Sequence, residues 1–302
     1  MLIIKTPLRI SIAGGGTDVP LWYREHGSMF ISAAIDKFIY TTFHRSDFSK
    51  KIRCRYSKME EVDSIDEIEN RIIKETFKRH GVKDSVEITS HAEIPSGTGL
   101  GSSGSFGVGV LQALFPYMNG YELGKEATRI QMDFAPIGFQ DQMIAGEGVV
   151  RRYVIKQDGF VKSEDFDVKG LDEKLVMFYT GIKRDANEVL KKSSNDGLVE
   201  IQTLAYTMQE ALESKEYDWY GKLLNIHWEE KKRRGGMTSP EIDSWYDLGM
   251  KNGALGGKLI GAGGGGFLMF YTNDRERLIK SIPLKHINFK FYAKGSEVLH
   301  ED

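Results

Sequence analysis

Residues 94–105 read Ile-Pro-Ser-Gly-Thr-Gly-Leu-Gly-Ser-Ser-Gly-Ser. The β-prone stretch from Val86 to Ala92 predicts a strand leading into this run. Ser102 to Leu114 predicts a helix leading out, stopped at Pro116. Glycines at 97, 99 and 101 let successive backbone N–H groups turn inward together. The helix start adds its own unpaired N–H groups and the positive end of its dipole, so strand, loop and helix together form a cradle for a polyphosphate. The hydroxyls of Ser102 and Ser103 fall on the first helical turn, where one can reach a magnesium ion bridging phosphates. The lysine of a GxxxxGK[ST] loop is absent here and nowhere else supplied. A GxGxxG pattern matches formally at Gly99, Gly101 and Gly104. The next element, Gly124 to Asp133, reads as helix and not as the second parallel strand of a dinucleotide-binding unit. A plain surface loop is the bland alternative, and it leaves the serine pair at a helix start unexplained.

Working outward, Ile3 to Ile12 reads as a strand interrupted by Pro7. A turn at Gly14, Gly15 and Gly16 follows, then a short helix from Pro20 to His26 with Gly27 as its stop. Strands are expected over Phe38 to Arg45 and Lys51 to Ser57. Ser64 and Glu67 form a capping box for a helix reaching His80. In the second half, Leu175 to Tyr179 is a buried-type strand. Helices are predicted over Leu198 to Ser214, Tyr217 to Arg233 and Pro240 to Asn252, and strands over Phe267 to Tyr271 and Ile287 to Tyr292. A second glycine cluster, GGKLIGAGGGGF, spans Gly256 to Phe267. It too matches GxGxxG, at Gly261, Gly263 and Gly266, but a strand follows it, so it is no dinucleotide site.

The bulk composition sets the frame for these motifs. The chain of 302 residues has 33 glycines, about 11% against a usual value near 7%. Its 41 Lys+Arg nearly cancel 43 Asp+Glu, so no global field draws it to nucleic acid or an anionic membrane. The single cysteine, Cys54, excludes a disulfide framework and a four-cysteine zinc site and points to a reducing, cytoplasmic compartment. The opening MLIIKTPLRI has too few apolar residues for a signal peptide, and no apolar run has membrane-spanning length. None of the seven histidines forms a close zinc-ligand pair.

The 94–105 run closely resembles the PxxxGLGSSA motif of the GHMP small-molecule kinases. Pro95, Gly97, Gly99, Leu100, Gly101, Ser102 and Ser103 match, and Gly104 replaces the usual alanine. Thr6 to Asp18, TPLRISIAGGGTD, resembles the family's first motif, in the form of its D-glycero-D-manno-heptose 7-phosphate kinase branch. Pro136 to Gln142, PIGFQDQ, is similar to the segment around the catalytic aspartate, and Gly256 to Phe267 to the third motif. The resemblance covers essentially the whole chain. It implies an α+β GHMP kinase fold, with an N-terminal domain like ribosomal protein S5 domain 2 over 1–165 and a ferredoxin-like domain over 166–302. ATP and Mg2+ are the implied cofactors. Implied ATP-binding residues are Pro95, Gly97, Thr98, Gly99, Leu100, Gly101, Ser102, Ser103 and Gly104. Asp141 becomes the expected base, with Arg9 assisting phosphoryl transfer. Gly14, Gly15, Gly16, Thr17, Asp18, Thr180, Arg184, Gly263 and Gly264 become expected substrate contacts.

Expected metal ligands are Ser103 and either Gln131 or Asp133. Gln131 stands where the family usually has a glutamate, so metal affinity should be weaker. The basic face of Lys51, Arg53 and Arg55 has two readings: a solvated edge strand kept from pairing by its charges, or contact with a distal substrate phosphate through Arg53. The basic run Lys231 to Arg234 is assigned no binding role. The implied activity is phosphorylation of the anomeric C1 hydroxyl of a sugar phosphate, D-glycero-D-manno-heptose 7-phosphate first. A fucose- or galactose-like sugar 1-kinase, or a catalytically weak nucleotide or sugar binder, are the alternatives. The expected partner is a small-molecule sugar phosphate, without nucleic acid or membrane, and with a homodimer as the expected assembly if the chain self-associates.

Overall fold

The structure is a computed structural model that describes residues 1–183 and 197–301. Its N-terminal part is a mixed sheet built on two long antiparallel strands, β1 (Leu2–Ala13) and β2 (Ser28–Arg45). The strands β3 (Ile52–Arg55), β4 (Met59–Val62) and β5 (Val86–Ala92) extend the sheet beyond β2. β6 (Val150–Ile155) pairs along the other half of β2, and β7 (Val161–Asp165) pairs with β6. Among the described residues only β3 and β5 pair in parallel.

β1 continues through Pro7 where the sequence predicted an interruption. Its pairing jumps there from Pro7↔Phe38 to Leu8↔Ile35, so β2 bulges by two residues where proline has no N–H to offer. β2 is also longer than Phe38 to Arg45, because its first half is rich in serine and alanine, which carry little strand signal.

Helices α1 (Pro20–His26), α2 (Arg71–Arg79), α3 (Ser102–Leu114), α4 (Gly120–Met132) and α5 (Gln140–Glu147) complete this part. The expected capping box splits in two. Ser64 caps a single 3-10 turn, Ile65–Glu67, and α2 starts afresh with the Asn70 side chain accepting from Ile73 N at 3.2 Å. Helix α3 packs on β1 and β2, with α4 and α5 beside it. Close crossing of α4 and α5 requires glycine at 124, where a Cβ would come within 2.7 Å of the Met143 Cα.

The C-terminal part is a four-stranded antiparallel sheet in the order β11 (Lys285–Ile287), β8 (Leu175–Tyr179), β10 (Phe267–Thr272), β9 (Ala254–Leu259). The helices α6 (Leu198–Glu213), α7 (Tyr217–Arg233) and α8 (Pro240–Lys251) lie between β8 and β9, and α9 (Arg275–Ser281) lies between β10 and β11. Strand order 4-1-3-2 with helical crossovers is the ferredoxin-like plait expected from sequence. The strand predicted over Ile287 to Tyr292 is not formed as such: β11 ends at Ile287, and beyond it only an isolated bridge joins Phe291 to Ile35. The chain then returns to the first sheet, where β12 (Glu297–Glu301) pairs with β1. A cut at 165/166 therefore separates this last strand from its sheet.

One apolar cluster joins the two parts. Leu8, Ile10 and Ile12 of β1 pack with Met177, Met269 and Tyr271 of the second sheet and with Met208 and Leu223 of α6 and α7. Burying each such side chain contributes roughly 1.5–3 kcal/mol. The Tyr220 hydroxyl also donates to the Ile12 carbonyl across the join at 3.0 Å. The walls of the cleft between the two parts are thus fixed by shared core.

Candidate active site

The 94–105 loop forms one wall of that cleft, whose volume is about 1400 Å³. Gly97, Gly99 and Gly101 have φ of 75°, 86° and 74°, the left-handed region where a Cβ is costly. Gly101 is the N-cap of α3 and no side chain caps that end, so the first-turn N–H groups remain for a ligand. Ser96, Gly97, Gly99, Gly101, Ser102 and Ser103 face the cleft. Pro95, Thr98 and Leu100 do not. Thr98 Oγ1 donates to the Pro95 carbonyl at 2.9 Å, and the buried Leu100 accepts from Arg9 N at 3.0 Å. These three hold the loop in shape from behind. The second glycine cluster locks onto it, since a Cβ on Gly261 would lie 2.6 Å from the Gly99 Cα.

Arg9, on β1, joins the loop to a carboxylate. Its Nε and Nη2 reach Asp141 Oδ1 at 2.7 and 2.6 Å, and its Nη1 donates to the Gly99 carbonyl at 2.5 Å. Both contacts to the carboxylate fall on one oxygen, and the Asp141 side chain stays one-third exposed to the cleft. Asp141 sits in the first turn of α5. Helix α5 approaches α3 so closely that a Cβ on Gly104 would stand 2.5 Å from the Asp141 Cβ. Gly104 therefore does not line the cleft; it admits the helix that carries Asp141.

The Gly14 to Gly16 turn and Asp18 line the adjoining region. Asp18 accepts from Gln140 N at 2.9 Å and from Gly16 N at 3.2 Å. Burial pushes its carboxyl above the ordinary aspartate value against these hydrogen bonds, with the Asp141 charge adding to the rise. Thr17 is turned away and shares a 2.8 Å hydrogen bond with Ser28.

Several cleft residues escaped the sequence reading. Lys258 of β9 is 2% exposed, lies 3.4 Å from the Ile12 carbonyl, and is pushed down to about 7 by burial and by the Arg9 charge. His227 of α7 is buried beside it, held well below the ordinary histidine value by burial and by the Lys258 charge. Arg24, Lys183, Lys231 and Arg234 also line the cleft. The sequence reading gives the basic run at the end of α7, Lys231 to Arg234, no binding role. Helical spacing puts His227, Lys231 and Arg234 on one face, a signal present in the sequence once that face is known to border a cleft.

Other expected contacts lie elsewhere. Gln131 is buried beneath α3, accepts from Gln142 Nε2 at 3.1 Å and does not face the cleft. Asp133 is on the surface, paired with Arg79 at 3.1 Å. Neither therefore joins Ser103 as a metal ligand. Among the described residues no group of three or more His, Cys, Asp or Glu is arranged to hold a metal. Beside the 94–105 loop the cleft offers the Ser102 and Ser103 hydroxyls and the Asp141 carboxylate as oxygen donors; Asp18 and Glu25 are the other acids in its lining. Arg53 is outside the cleft, bound to Glu61 at 2.7 Å, and the edge-strand reading fails as well: β3 pairs with β4 on one side and β5 on the other, and Arg53 and Arg55 are matched by Glu61 and Glu87 on those neighbours. Thr180 is buried and donates to the Gly266 carbonyl at 2.9 Å, so it pins the glycine loop. Gly263 and Gly264 pack on Met237, and Gly261 and Ala262 face the cleft in their place. Arg184 lies outside the described residues.

This arrangement can hold a polyphosphate on one wall and set a carboxylate and a guanidinium beside its end. Comparison with known proteins agrees. Residues 68–148 match the family described as GHMP kinases N terminal domain, and residues 208–285 match GHMP kinases C terminal. A D-glycero-alpha-D-manno-heptose 7-phosphate kinase from Campylobacter jejuni is 28% identical, over 92% of each chain. An L-fucokinase/L-fucose-1-P guanylyltransferase from Bacteroides fragilis is 25% identical over 91% of this chain and 35% of its own length. The crystal structure of a D-glycero-D-manno-heptose 1-phosphate kinase from Bacteroides thetaiotaomicron superposes with a TM-score of 0.80 at 22% identity, covering all of both chains.

Proposed function

This chain belongs to the GHMP kinase family, and on that premise we propose that it is a sugar kinase transferring the γ-phosphoryl of ATP to the anomeric hydroxyl of a sugar phosphate, D-glycero-D-manno-heptose 7-phosphate in the first instance. The observation that carries this reading is the Arg9–Asp141 pair, tied through the Gly99 carbonyl to the uncapped start of α3. The loop N–H groups bind the phosphates. Asp141 orients the acceptor hydroxyl with its second oxygen and takes its proton as the new P–O bond forms. Arg9 holds the Asp141 carboxylate in position and offsets charge on the moving phosphoryl. Asp18 and the Gly14 to Gly16 turn position the sugar.

The donors beside the glycine loop, a serine hydroxyl and the Asp141 carboxylate, would suit a magnesium ion, because this metal keeps most of its waters and needs only one or two protein oxygens. When bound, the ion would neutralise charge on the phosphates. Gln131, whose missing charge favours a catalytically weak homologue, is buried against Gln142 and does not line the cleft, which counts against that alternative.

The test is direct. The protein is incubated with ATP, Mg2+ and a panel of heptose 7-phosphate, mannose, fucose and galactose, and products are read by phosphorus NMR. An anomeric phosphate on the sugar phosphate supports the proposal. Transfer only to unphosphorylated fucose or galactose, or none to any sugar, overturns it.

A further inference from the structure

Gln140 opens α5 one residue before Asp141, and it lines the same cleft. The residue is only 8% exposed, yet its polar groups are unequally used. Its N–H donates to Asp18 Oδ2 at 2.9 Å, and its Nε2 donates to Ser11 Oγ at 3.2 Å. Among the described residues nothing donates to its Oε1. An acceptor left unpaired in so buried a place is costly unless a ligand supplies the donor.

Ser11 decides which end of the amide is left over. Its hydroxyl donates to the Gly14 carbonyl at 3.4 Å, so its lone pairs receive the Gln140 amine and the carbonyl is turned outward. That oxygen borders the turn that positions the acceptor. A Cβ on Gly15 would stand 3.5 Å from Gln140 Oε1 and 3.2 Å from Ser11 Oγ. A side chain at 15 would cover the oxygen, and glycine leaves it open. Strand β1 supplies the spacing. Arg9 and Ser11 are two residues apart and share one face of the strand, about 7 Å from each other. Arg9 holds Asp141 and Ser11 holds Gln140. A sugar that offers its reacting hydroxyl to Asp141 therefore brings the hydroxyl of the next ring carbon toward Gln140.

We propose that the Gln140 side-chain carbonyl accepts a hydrogen bond from the C2 hydroxyl of the acceptor sugar, the neighbour of the reacting one, and that Ser11 positions the amide for this contact. This rests on the sugar kinase reading above and deepens it: the site selects at C2 as well as transferring to C1. An amide oxygen fixed at both its main chain and its amine discriminates by direction, since an axial and an equatorial C2 hydroxyl point different ways.

The readout is a ratio: kcat/KM for D-glycero-D-manno-heptose 7-phosphate divided by kcat/KM for its 2-deoxy counterpart. Wild-type protein is expected to give about 5- to 100-fold, because the 2-deoxy sugar leaves the buried oxygen unpaired. Gln140→Met keeps the length of the side chain and removes the acceptor. Its ratio should fall to within about threefold of one, with the loss falling on the parent sugar. Ser11→Ala releases the amide through a one-atom truncation and should lower the ratio about 2- to 10-fold. A purely structural role for either residue depresses both sugars alike and leaves the ratio unmoved. A wild-type ratio within about twofold of one overturns the contact whatever the variants do. The full wild-type ratio retained in both variants overturns it as well, and either result leaves the kinase reading intact. Wild-type protein that phosphorylates no heptose 7-phosphate overturns the kinase reading itself, and this contact with it.

Discussion

Gly104→Ala restores the alanine that the family motif usually carries, yet the structure predicts that it damages this enzyme. The added Cβ would stand 2.5 Å from the Asp141 Cβ, 3.0 Å from its carbonyl carbon and 3.1 Å from Gln142 N. Two of these atoms are backbone, so no rotamer change relieves the contact. Reaching even a tight 3.4 Å requires α5 to withdraw from α3 by about 0.9 Å. Overpacking of this kind costs about 1–3 kcal/mol, while alanine in place of glycine inside a helix returns about 1 kcal/mol. The net loss of stability is therefore small, about 0–2 kcal/mol, or a few degrees in Tm for a chain of this size. Catalysis should suffer far more. A misplacement near 1 Å of a reacting group costs on the order of 100-fold, and Asp141 is the residue displaced. The assay is steady-state kinetics alongside thermal unfolding and nucleotide titration. The expected result is kcat reduced about 100-fold, ATP affinity within threefold of wild type, and Tm lowered by no more than about 4 °C. A kcat within twofold of wild type would show that the approach of α5 to α3 does not place Asp141 for chemistry.

Lys258→Met tests the buried ammonium. Its folded pKa, about 7, lies below the ordinary 10.5, so the unfolded chain binds the extra proton between those values and the penalty on the native state is greatest at or below pH 7. The variant should gain several degrees in Tm at pH 6, with the gain shrinking as pH rises toward 10; a gain independent of pH contradicts the charge-burial reading. Asp18 titrates above the ordinary carboxylate value, so its contribution to stability falls as pH rises from about 4 through its folded pKa. Asp18→Asn should remove that fall while raising KM for the sugar about tenfold or more at constant ATP affinity, and equal losses for both substrates would count against its placement at the acceptor. Gly261→Ala puts a Cβ 2.6 Å from the Gly99 Cα at a φ of 76°. It should cost roughly 1–2 kcal/mol of strain and raise KM for ATP, as read by nucleotide titration and denaturant unfolding; unaltered ATP binding would show that the two glycine loops do not support each other.

Local chemistry made the nucleotide wall legible in the sequence. The strand to Ala92, the glycines at 97 to 101 and the helix from Ser102 fall where their propensities put them, because each signal acts within a few residues. Arg9 and Asp141 became a pair only through family resemblance, since 132 positions separate them. What the sequence hid depends on which face an element presents. Gln131 and Asp133 belong to the end of α4, but its rotation buries one side chain under α3 and sends the other to Arg79. Gly263 and Gly264 were read as substrate contacts because four consecutive glycines give no hint which N–H groups face inward. Arg234 reads as part of a basic run with no binding role, and Lys258 carries no signal of its own within the glycine-rich run, until the second sheet folds against β1. Their meaning lies in tertiary packing, which no local pattern encodes.

Transfer of a single phosphoryl group by Asp141→Asn in a rapid-quench experiment tests the central claim most directly. The variant keeps the size of the side chain and removes its capacity to take a proton. The account predicts that transfer slows by about 100- to 10,000-fold while ATP binds within threefold of wild type. Transfer at a rate within tenfold of wild type would contradict it, because the carboxylate beside Arg9 would then be a bystander.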